Sequence, residues 1–197
     1  MEEKSEQTRE KLIELIKVVL YGPESTGKTT LAKQLAVYYN TEWVPEFMRE
    51  YLEEKWERDR KLVSREDLVP IAKGQLAREM EASSKVDKLL ICDTNLLELK
   101  VYSEYYYNGY CPEFIENQVT NLSAVEEDNY SIYLLTYIDI PWEADILRDR
   151  PHNREEMFRI FEAELKKQGL HYKILKGNEK ERFNKAIEII DALLFKH

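Results

Sequence analysis

Short apolar runs alternate along the chain with longer segments in which apolar residues recur every three or four positions. The runs are rich in Ile, Val, Leu and Tyr, and most are too short for buried helices, which favours strands of a buried parallel sheet. They lie at 16–20, 41–44, 88–92, 130–140 and 172–175. This alternation predicts an α/β fold: one doubly wound, mostly parallel five-stranded sheet with helices on both faces.

Helical periodicity fills the intervals between these runs. We assign residues 1–15 to a charged N-terminal helix or leader, and a solvated leader is favoured over a role in self-association. Residues 16–197 then form a single domain, because no repeat, low-complexity segment or Gly/Ser linker interrupts them. The predicted helices of the domain lie at 30–39, 47–59, 64–84, 96–107, 112–127, 142–150, 154–168 and 179–195.

The stretch YGPESTGKTT at 21–30 contains a full match to the pattern G-x-x-x-x-G-K-[ST], between a predicted strand and a predicted helix. Gly22 and Gly27 permit a backbone whose N–H groups surround phosphate oxygens, and the helix N-terminus adds positive charge. Lys28 can reach the β- and γ-phosphates, and the Thr29 hydroxyl can bind Mg²⁺. The alternative, a glycine-rich turn beside a surface lysine, is disfavoured by this context. The predicted phosphate-binding residues are Gly22, Pro23, Glu24, Ser25, Thr26, Gly27, Lys28, Thr29 and Thr30.

Two acidic residues follow predicted strands at the edge of the sheet where ligands of this fold class bind. Asp93 follows the third strand and can hold Mg²⁺. The alternative is a helix cap, because Asp93, Thr94 and Asn95 all favour that position. Glu46 follows the second strand, where a carboxylate can accept the proton of an attacking hydroxyl. Its alternative role is to complement the dipole of the next helix.

Arginines cluster after the fourth strand, in a loop-like segment that we interpret as a lid near 142–156. Arginines from a mobile lid can stabilise the charge of a phosphoryl group in transfer. The alternative is a solvated helix face with ion pairs to neighbouring acids. The predicted lid arginines are Arg148, Arg150 and Arg154. The turn after the fifth strand reaches the same edge, and its predicted nucleotide contacts are Gly177 and Asn178.

Composition narrows the range of partners. The chain carries 29 Lys and Arg against 38 Asp and Glu, a net charge of −9, which disfavours non-specific binding to nucleic acid. Cys92 and Cys111 match no metal or redox spacing, which is typical of a reducing cytosol. The sequence shows neither a signal peptide nor the run of about 20 apolar residues that a membrane helix needs. We therefore expect a cytoplasmic protein, and the sequence leaves its oligomeric state open.

Five stretches together resemble the ribosylnicotinamide kinase domain of the NadR family, over about residues 16–194. They are GPESTGKTT at 22–30, EFMREYL at 46–52, ICDTN at 91–95, PWEADILR at 141–148 and NREEMF at 153–158. The resemblance implies a P-loop kinase fold and the conversion of MgATP and nicotinamide riboside to nicotinamide mononucleotide and ADP. Carried across, residues 22–29 bind phosphate, Thr29 and Asp93 serve Mg²⁺, and Arg148 lies in the lid.

The sequence departs from the family pattern in three ways. It lacks the H-x-G-H type signature of the family's nucleotidyltransferase domain, so adenylyltransferase activity is not expected. Pro45 stands where the family often has an aromatic residue that stacks on nicotinamide, and Trp43 is the candidate replacement. Asn95 stands where the family tends to have Asp. The predicted substrate residues are Trp43, Glu46, Arg49 and Asn95.

Three functions compete at this point. The first is a metabolite kinase with nicotinamide riboside as the leading acceptor, and the second is a kinase of another nucleoside or small alcohol. The third, from a different class, is an ATP-binding regulatory switch that signals to a partner. A kinase requires a lid and an acceptor-binding carboxylate, and the sequence offers candidates for both. The sequence leaves open the acceptor, the choice between ATP and GTP, and whether Glu46 or Asp93 is the base.

Overall fold

A computed structural model describes residues 15–124, 132–142 and 153–195. Its strands are β1 (Ile16–Tyr21), β2 (Trp43–Val44), β3 (Leu89–Asp93), β4 (Ile132–Thr136) and β5 (Tyr172–Leu175). Its helices are α1 (Lys28–Tyr39), α2 (Phe47–Asp59), α3 (Leu68–Ser83), α4 (Leu96–Tyr106), α5 (Glu113–Ala124), α6 (Arg154–Lys167) and α7 (Glu179–Leu194), with a 3-10 turn at Arg65–Asp67.

The five strands form one parallel sheet in the order β2-β3-β1-β4-β5. The central strand β1 pairs with β3 and β4, and Leu20 lies opposite Asp93 and Leu134 in the two registers. The loops that follow β1, β3 and β4 therefore meet at the carboxyl edge of the sheet. This architecture confirms the predicted doubly wound α/β fold.

Helices cover both faces of the sheet, and the alternation of side chains along β1 shows how. Val19 and Tyr21 point to the face covered by α3, α4 and α6, where they belong to one hydrophobic core. Phe161 of α6 lies in the same core and is 0% exposed. Val18 and Leu20 belong to the other core, toward α1 and α7. Because both faces of β1 are buried, its sequence reads as a continuous apolar run, as expected for a central parallel strand.

The fourth strand is shorter at its carboxyl end than the predicted run 130–140. The Tyr137 N–H still bonds to the Leu175 carbonyl at 2.9 Å, and beyond it the Asp139 carboxylate accepts the Gly177 N–H at 2.6 Å and pairs with Arg182. The predicted leader at 1–15 and the predicted helix 142–150 lie outside the described residues, apart from Leu15 and Trp142. Among the described residues, no helix combines the length and apolarity that crossing a bilayer requires.

Candidate active site

The loop between β1 and α1 packs against Thr136, the last residue of β4. Gly22 has φ 135°, and a Cβ atom there would lie 2.9 Å from Thr136 Oγ1, so the position requires glycine. The Thr26 and Thr136 hydroxyls share a hydrogen bond of 2.7 Å, and Thr26 Oγ1 lies 2.8 Å from the Pro23 carbonyl. Gly27, with φ 81°, then leads directly into α1. The loop thus has the fixed, glycine-dependent backbone that a phosphate-binding nest requires.

Lys28, the first residue of α1, folds back over this loop. Its Nζ donates hydrogen bonds to the Gly22 and Pro23 carbonyls at 2.6 and 3.1 Å. The same nitrogen lies 3.3 Å from Glu98 Oε1, and the lysine is only 8% exposed. Its amine therefore lies at the mouth of the loop, where phosphate oxygens would meet it.

Glu98 is a site residue that the sequence reasoning missed. It lies in the first turn of α4, is 2% exposed, and its Oε2 has no hydrogen-bond partner among the residues that the structure describes. Burial raises the pKa of Glu98 to about 8, against the opposing effect of Lys28 and with support from Glu46 and Asp93. The signal available in the sequence was an acid within the apolar stretch LLELK, because acids are almost never fully buried unless they are paired.

The side chains of Asp93 and Thr29 lie in contact at the carboxyl edge of the sheet. Asp93 is 1% exposed, its carboxylate accepts a hydrogen bond from the Thr29 side chain, and its Oδ1 has no hydrogen-bond partner in the part of the chain described. Burial raises the pKa of Asp93, while Thr29 and Lys28 lower it. A buried carboxylate oxygen beside a hydroxyl is the donor set that Mg²⁺ prefers, so these residues fit the ion.

Glu46 stands at the start of α2, and α3 fixes its position. The N–H of Phe47 donates to Gln75 Oε1 at 2.8 Å. The Phe47 ring lies against Gly74, where an added methyl group would overlap the ring. Glu46 is half-buried, and its charge raises the pKa values of Lys28 and Glu98. The predicted carboxylate and the phosphate loop therefore belong to one site.

A cavity of about 700 Å³ joins the phosphate loop to Glu46 and Glu98 and continues beyond them. Its far part lies between α2, α4 and the segment 61–63. Arg49 lines the cavity, and its role toward a substrate stays a prediction. The apolar and aromatic lining there comprises Met48, Leu52, Trp56, Leu62, Val63, Leu99, Tyr102, Tyr106 and Tyr107. The cavity thus has a polar end with the phosphate loop and an aromatic end that suits a flat organic group.

Two predicted substrate residues have structural positions instead. Trp43 packs in the core on the α1 side of the sheet, with Lys33 Nζ 5.3 Å from the ring centroid, so it is not available to a ligand in this cavity. Asn95 caps α4, accepting the Leu97 N–H at 3.1 Å and donating to Tyr133 Oη at 2.7 Å. Its amide is 2% exposed, and both its oxygen and its nitrogen make hydrogen bonds within the fold. The substrate role of Trp43 does not fit the structure, and that of Asn95 stays a prediction.

Arg154 lies at the loop, as the sequence suggested for a lid arginine. Its guanidinium donates to the Ile140 carbonyl at 2.8 Å and to the Ser25 carbonyl at 3.1 Å. The first residue of α6 is thus tied to the phosphate loop. Arg148 and Arg150 lie outside the described residues, and their role stays a prediction.

Arg182, in α7, organises the remaining side of the site and was not identified from the sequence. It is 2% exposed and donates to the Thr26 carbonyl at 2.6 Å and to the Gly177 carbonyl at 2.9 Å. The Asn178 side chain caps α7 and accepts the Glu181 N–H at 3.1 Å. Gly177 and Asn178 thus lie beside the loop, but Asn178 uses its side-chain oxygen within the helix cap.

The parallel sheet, its strand order and the lysine-bearing loop define a P-loop nucleotide-binding fold. The chain belongs to the family described as AAA domain, whose model matches residues 17–182. It is 23% identical over 180 residues to the trifunctional NAD biosynthesis/regulator protein NadR of Salmonella typhimurium and of Escherichia coli. That match covers 90% of this chain and 42% of each relative, so the chain spans less than half their length.

Solved structures of similar fold include NadR in complex with NR, with TM-score 0.67, 24% identity, and coverage of 89% of this chain and 48% of that one. A deoxyadenosine kinase from M. mycoides has TM-score 0.63 and 13% identity, and the match covers 90% of this chain and 100% of that one. A thymidylate kinase from Ehrlichia chaffeensis has TM-score 0.59 and 16% identity, and the match covers 89% of this chain and 98% of that one. At these identities the likeness establishes the fold.

Proposed function

We propose that the protein transfers the γ-phosphoryl group of ATP to a hydroxyl group of a small metabolite, with nicotinamide riboside as the leading acceptor. The observation that carries the proposal is the shape of the cavity. It begins at a phosphate loop with Lys28, passes two carboxylates, and ends in an aromatic compartment large enough for an acceptor. An ATP-hydrolysing module has no need of such a second compartment.

Each residue then has a part in the transfer. The loop N–H groups and Lys28 bind the phosphates, and Lys28 exchanges its contacts with the Gly22 and Pro23 carbonyls for phosphate oxygens. Thr29 and Asp93 would hold Mg²⁺, which would supply charge neutralisation for the transferred group. Arg154, already at the Ser25 carbonyl, contributes further positive charge at the loop.

Glu46 orients the acceptor hydroxyl and takes its proton as the new bond forms. It lines the same cavity as the phosphate loop and the aromatic side chains, which supports this role. Asp93 is the alternative base, but it is 1% exposed, bonded to Thr29 and absent from the lining of the large cavity. The metal role fits Asp93 better, which leaves Glu46 as the base.

Nicotinamide riboside is supported by the match to NadR and by the fold shared with NadR in complex with NR. A second candidate is another nucleoside, since the same fold occurs in a deoxyadenosine kinase and a thymidylate kinase. Both candidates present a flat ring and a sugar hydroxyl, which the aromatic end and Glu46 can receive.

A screen of nucleosides for ADP production with MgATP tests the proposal. We expect ADP release to rise at least about tenfold over the acceptor-free rate with one riboside, and to require Lys28. The regulatory switch predicts slow hydrolysis that no acceptor stimulates. Activity on another nucleoside without activity on nicotinamide riboside would leave the kinase mechanism in place and replace the substrate.

A further inference from the structure

Two polar atoms in the cavity wall have no partner that the fold supplies. Glu98 Oε1 faces Lys28 Nζ at 3.3 Å, but Glu98 Oε2 makes no hydrogen bond among the described residues. The Tyr102 hydroxyl likewise has no hydrogen-bond partner in the described part of the chain. Buried polar atoms are nearly always paired, so unpaired ones on side chains that line a cavity point to a ligand.

The two atoms belong to one face of one helix. Glu98 and Tyr102 are four residues apart on α4, so their side chains lie one above the other on neighbouring turns. Both residues line the 700 Å³ cavity, and they are 2% and 7% exposed. Packing holds Tyr102 in place, because its ring lies 5.4 Å from Phe161 and 6.0 Å from Tyr106.

This face lies between the phosphate loop and the aromatic end of the cavity. Glu98 lies toward the phosphate loop, because it pairs with Lys28. Tyr102 lies toward the aromatic end, because its ring stacks with Tyr106. An acceptor whose reacting hydroxyl meets Glu46 places its central part beside Glu98 and Tyr102. In a nucleoside that central part is the sugar ring, which carries further hydroxyl groups.

We propose that Glu98 and Tyr102 form a hydroxyl-recognition pair that binds an acceptor hydroxyl other than the one phosphorylated. The pair makes the site selective for ribosides over the corresponding deoxyribosides. This inference rests on the proposed kinase function and adds its substrate selectivity. A hydroxyl group both donates and accepts, so it can satisfy the Glu98 carboxyl oxygen and the Tyr102 phenol together. A deoxy acceptor leaves both buried groups unpaired, and sites built in this way reject such analogues strongly.

The first test needs no variant. The acceptor found by the nucleoside screen is compared with its 2′-deoxy and 3′-deoxy analogues in steady-state kinetics. We expect at least one deoxy analogue to lose about a hundredfold or more in kcat/KM. Equal use of all three compounds, within about threefold, would overturn the inference.

The second test assigns the selectivity to the pair. Tyr102→Phe removes only the hydroxyl, and we expect it to reduce the riboside-to-deoxyriboside ratio at least about tenfold, mainly through KM. Glu98→Ala is expected to lower the ratio as well, and Glu98→Gln, which keeps an oxygen, to retain part of it. Tyr38→Phe, on the exposed surface of α1, is the matched control and should leave the ratio unchanged. An unchanged ratio in Tyr102→Phe would contradict the pair.

The outcomes separate this inference from the proposed function. Transfer to an alcohol without a ribose would leave the kinase function standing and overturn the hydroxyl-recognition pair. Thermal-shift titration with ribosides and deoxyribosides gives a second readout that requires no turnover. Absence of both transfer and riboside binding would overturn the two proposals together.

Discussion

The Lys28 amine lies 3.3 Å from a carboxylate oxygen of Glu98 and donates a hydrogen bond of 2.6 Å to the Gly22 carbonyl. Although burial opposes the charged form, the neighbouring carboxylates raise the pKa of Lys28 overall. The lysine is thus a fixed cation at the mouth of the loop. Its charge is available for phosphate oxygens without a proton transfer.

Removing this charge should abolish phosphoryl transfer. We expect Lys28→Ala to lower the rate by about two or more orders of magnitude, because the amine acts on charge that develops during transfer. Lys185→Ala, exposed on α7, is the matched control and should retain full activity. A folded Lys28→Ala protein with near-normal turnover would remove the lysine from the mechanism.

Glu46→Gln tests the assignment of the base. The substitution keeps the shape and removes the proton acceptor, so turnover should fall at least about a hundredfold. Binding of an ATP analogue should stay near normal, since Glu46 lies on the acceptor side of the loop. Glu57→Gln, exposed on the same helix, provides the control. Full activity in Glu46→Gln would transfer the role to Asp93.

Gly74→Ala should reverse the usual effect of this substitution in a helix. Alanine normally stabilises a helix by up to about 1 kcal/mol over glycine. Here the added methyl group overlaps the Phe47 ring, so we expect a loss of about 1–3 kcal/mol and a displaced Glu46. Chemical denaturation measures the first effect and kcat the second. The double variant Phe47→Leu/Gly74→Ala should recover stability, and failure to do so would show that the contact is not the cause.

Arg182→Ala should destabilise the protein and weaken nucleotide binding together. The substitution leaves the Thr26 and Gly177 carbonyls without their donor, and each unsatisfied buried group costs about 1–3 kcal/mol. Thermal denaturation with and without an ATP analogue measures both effects. Arg159→Ala, on the exposed face of α6, should change stability by no more than about 0.5 kcal/mol. Equal behaviour of the two variants would contradict an organising role for Arg182.

Acid stability should depend on Asp67, which joins α2 to the segment that lines the cavity. Burial alone would raise its pKa, but hydrogen bonds from Lys55, Ser64 and Tyr51 hold the pKa of Asp67 at about 2. A depressed acid pKa adds stability above its unfolded value near 3.9, and that stability is lost as pH falls from about 4 toward 2. Urea denaturation at pH 7 and pH 3 measures the difference. Asp67→Asn should lower stability at pH 7 and flatten this part of the pH dependence; an unchanged profile would contradict the assignment.

The fold was predictable because its signals are local. Each parallel strand is a short apolar run, and the intervals carry helical periodicity, so β1 and β5 are found nearly to the residue. The predicted fourth strand continued beyond the end of β4 at Thr136 because the next residues, YIDI at 137–140, are mostly apolar, as in a strand. The bonds of Asp139 to Gly177 and Arg182, just beyond the end of the strand, join parts of the chain distant in sequence.

The site was predictable only where backbone geometry dictates it. The phosphate loop is encoded in consecutive residues, and Asp93 and Glu46 follow from the rule that strand ends share one edge. Glu98 and Arg182 were missed because helix packing decides which side chains reach the cavity. Trp43 was misassigned for the same reason: strand alternation places its ring on the α1 side of the sheet.

The most direct test of the central claim is product analysis after incubation with MgATP and nicotinamide riboside. We predict stoichiometric formation of ADP and a riboside 5′-monophosphate, identified by mass spectrometry and ³¹P NMR, and the loss of both products in Lys28→Ala. Release of inorganic phosphate at a rate that neither nicotinamide riboside nor any other nucleoside changes would contradict the account.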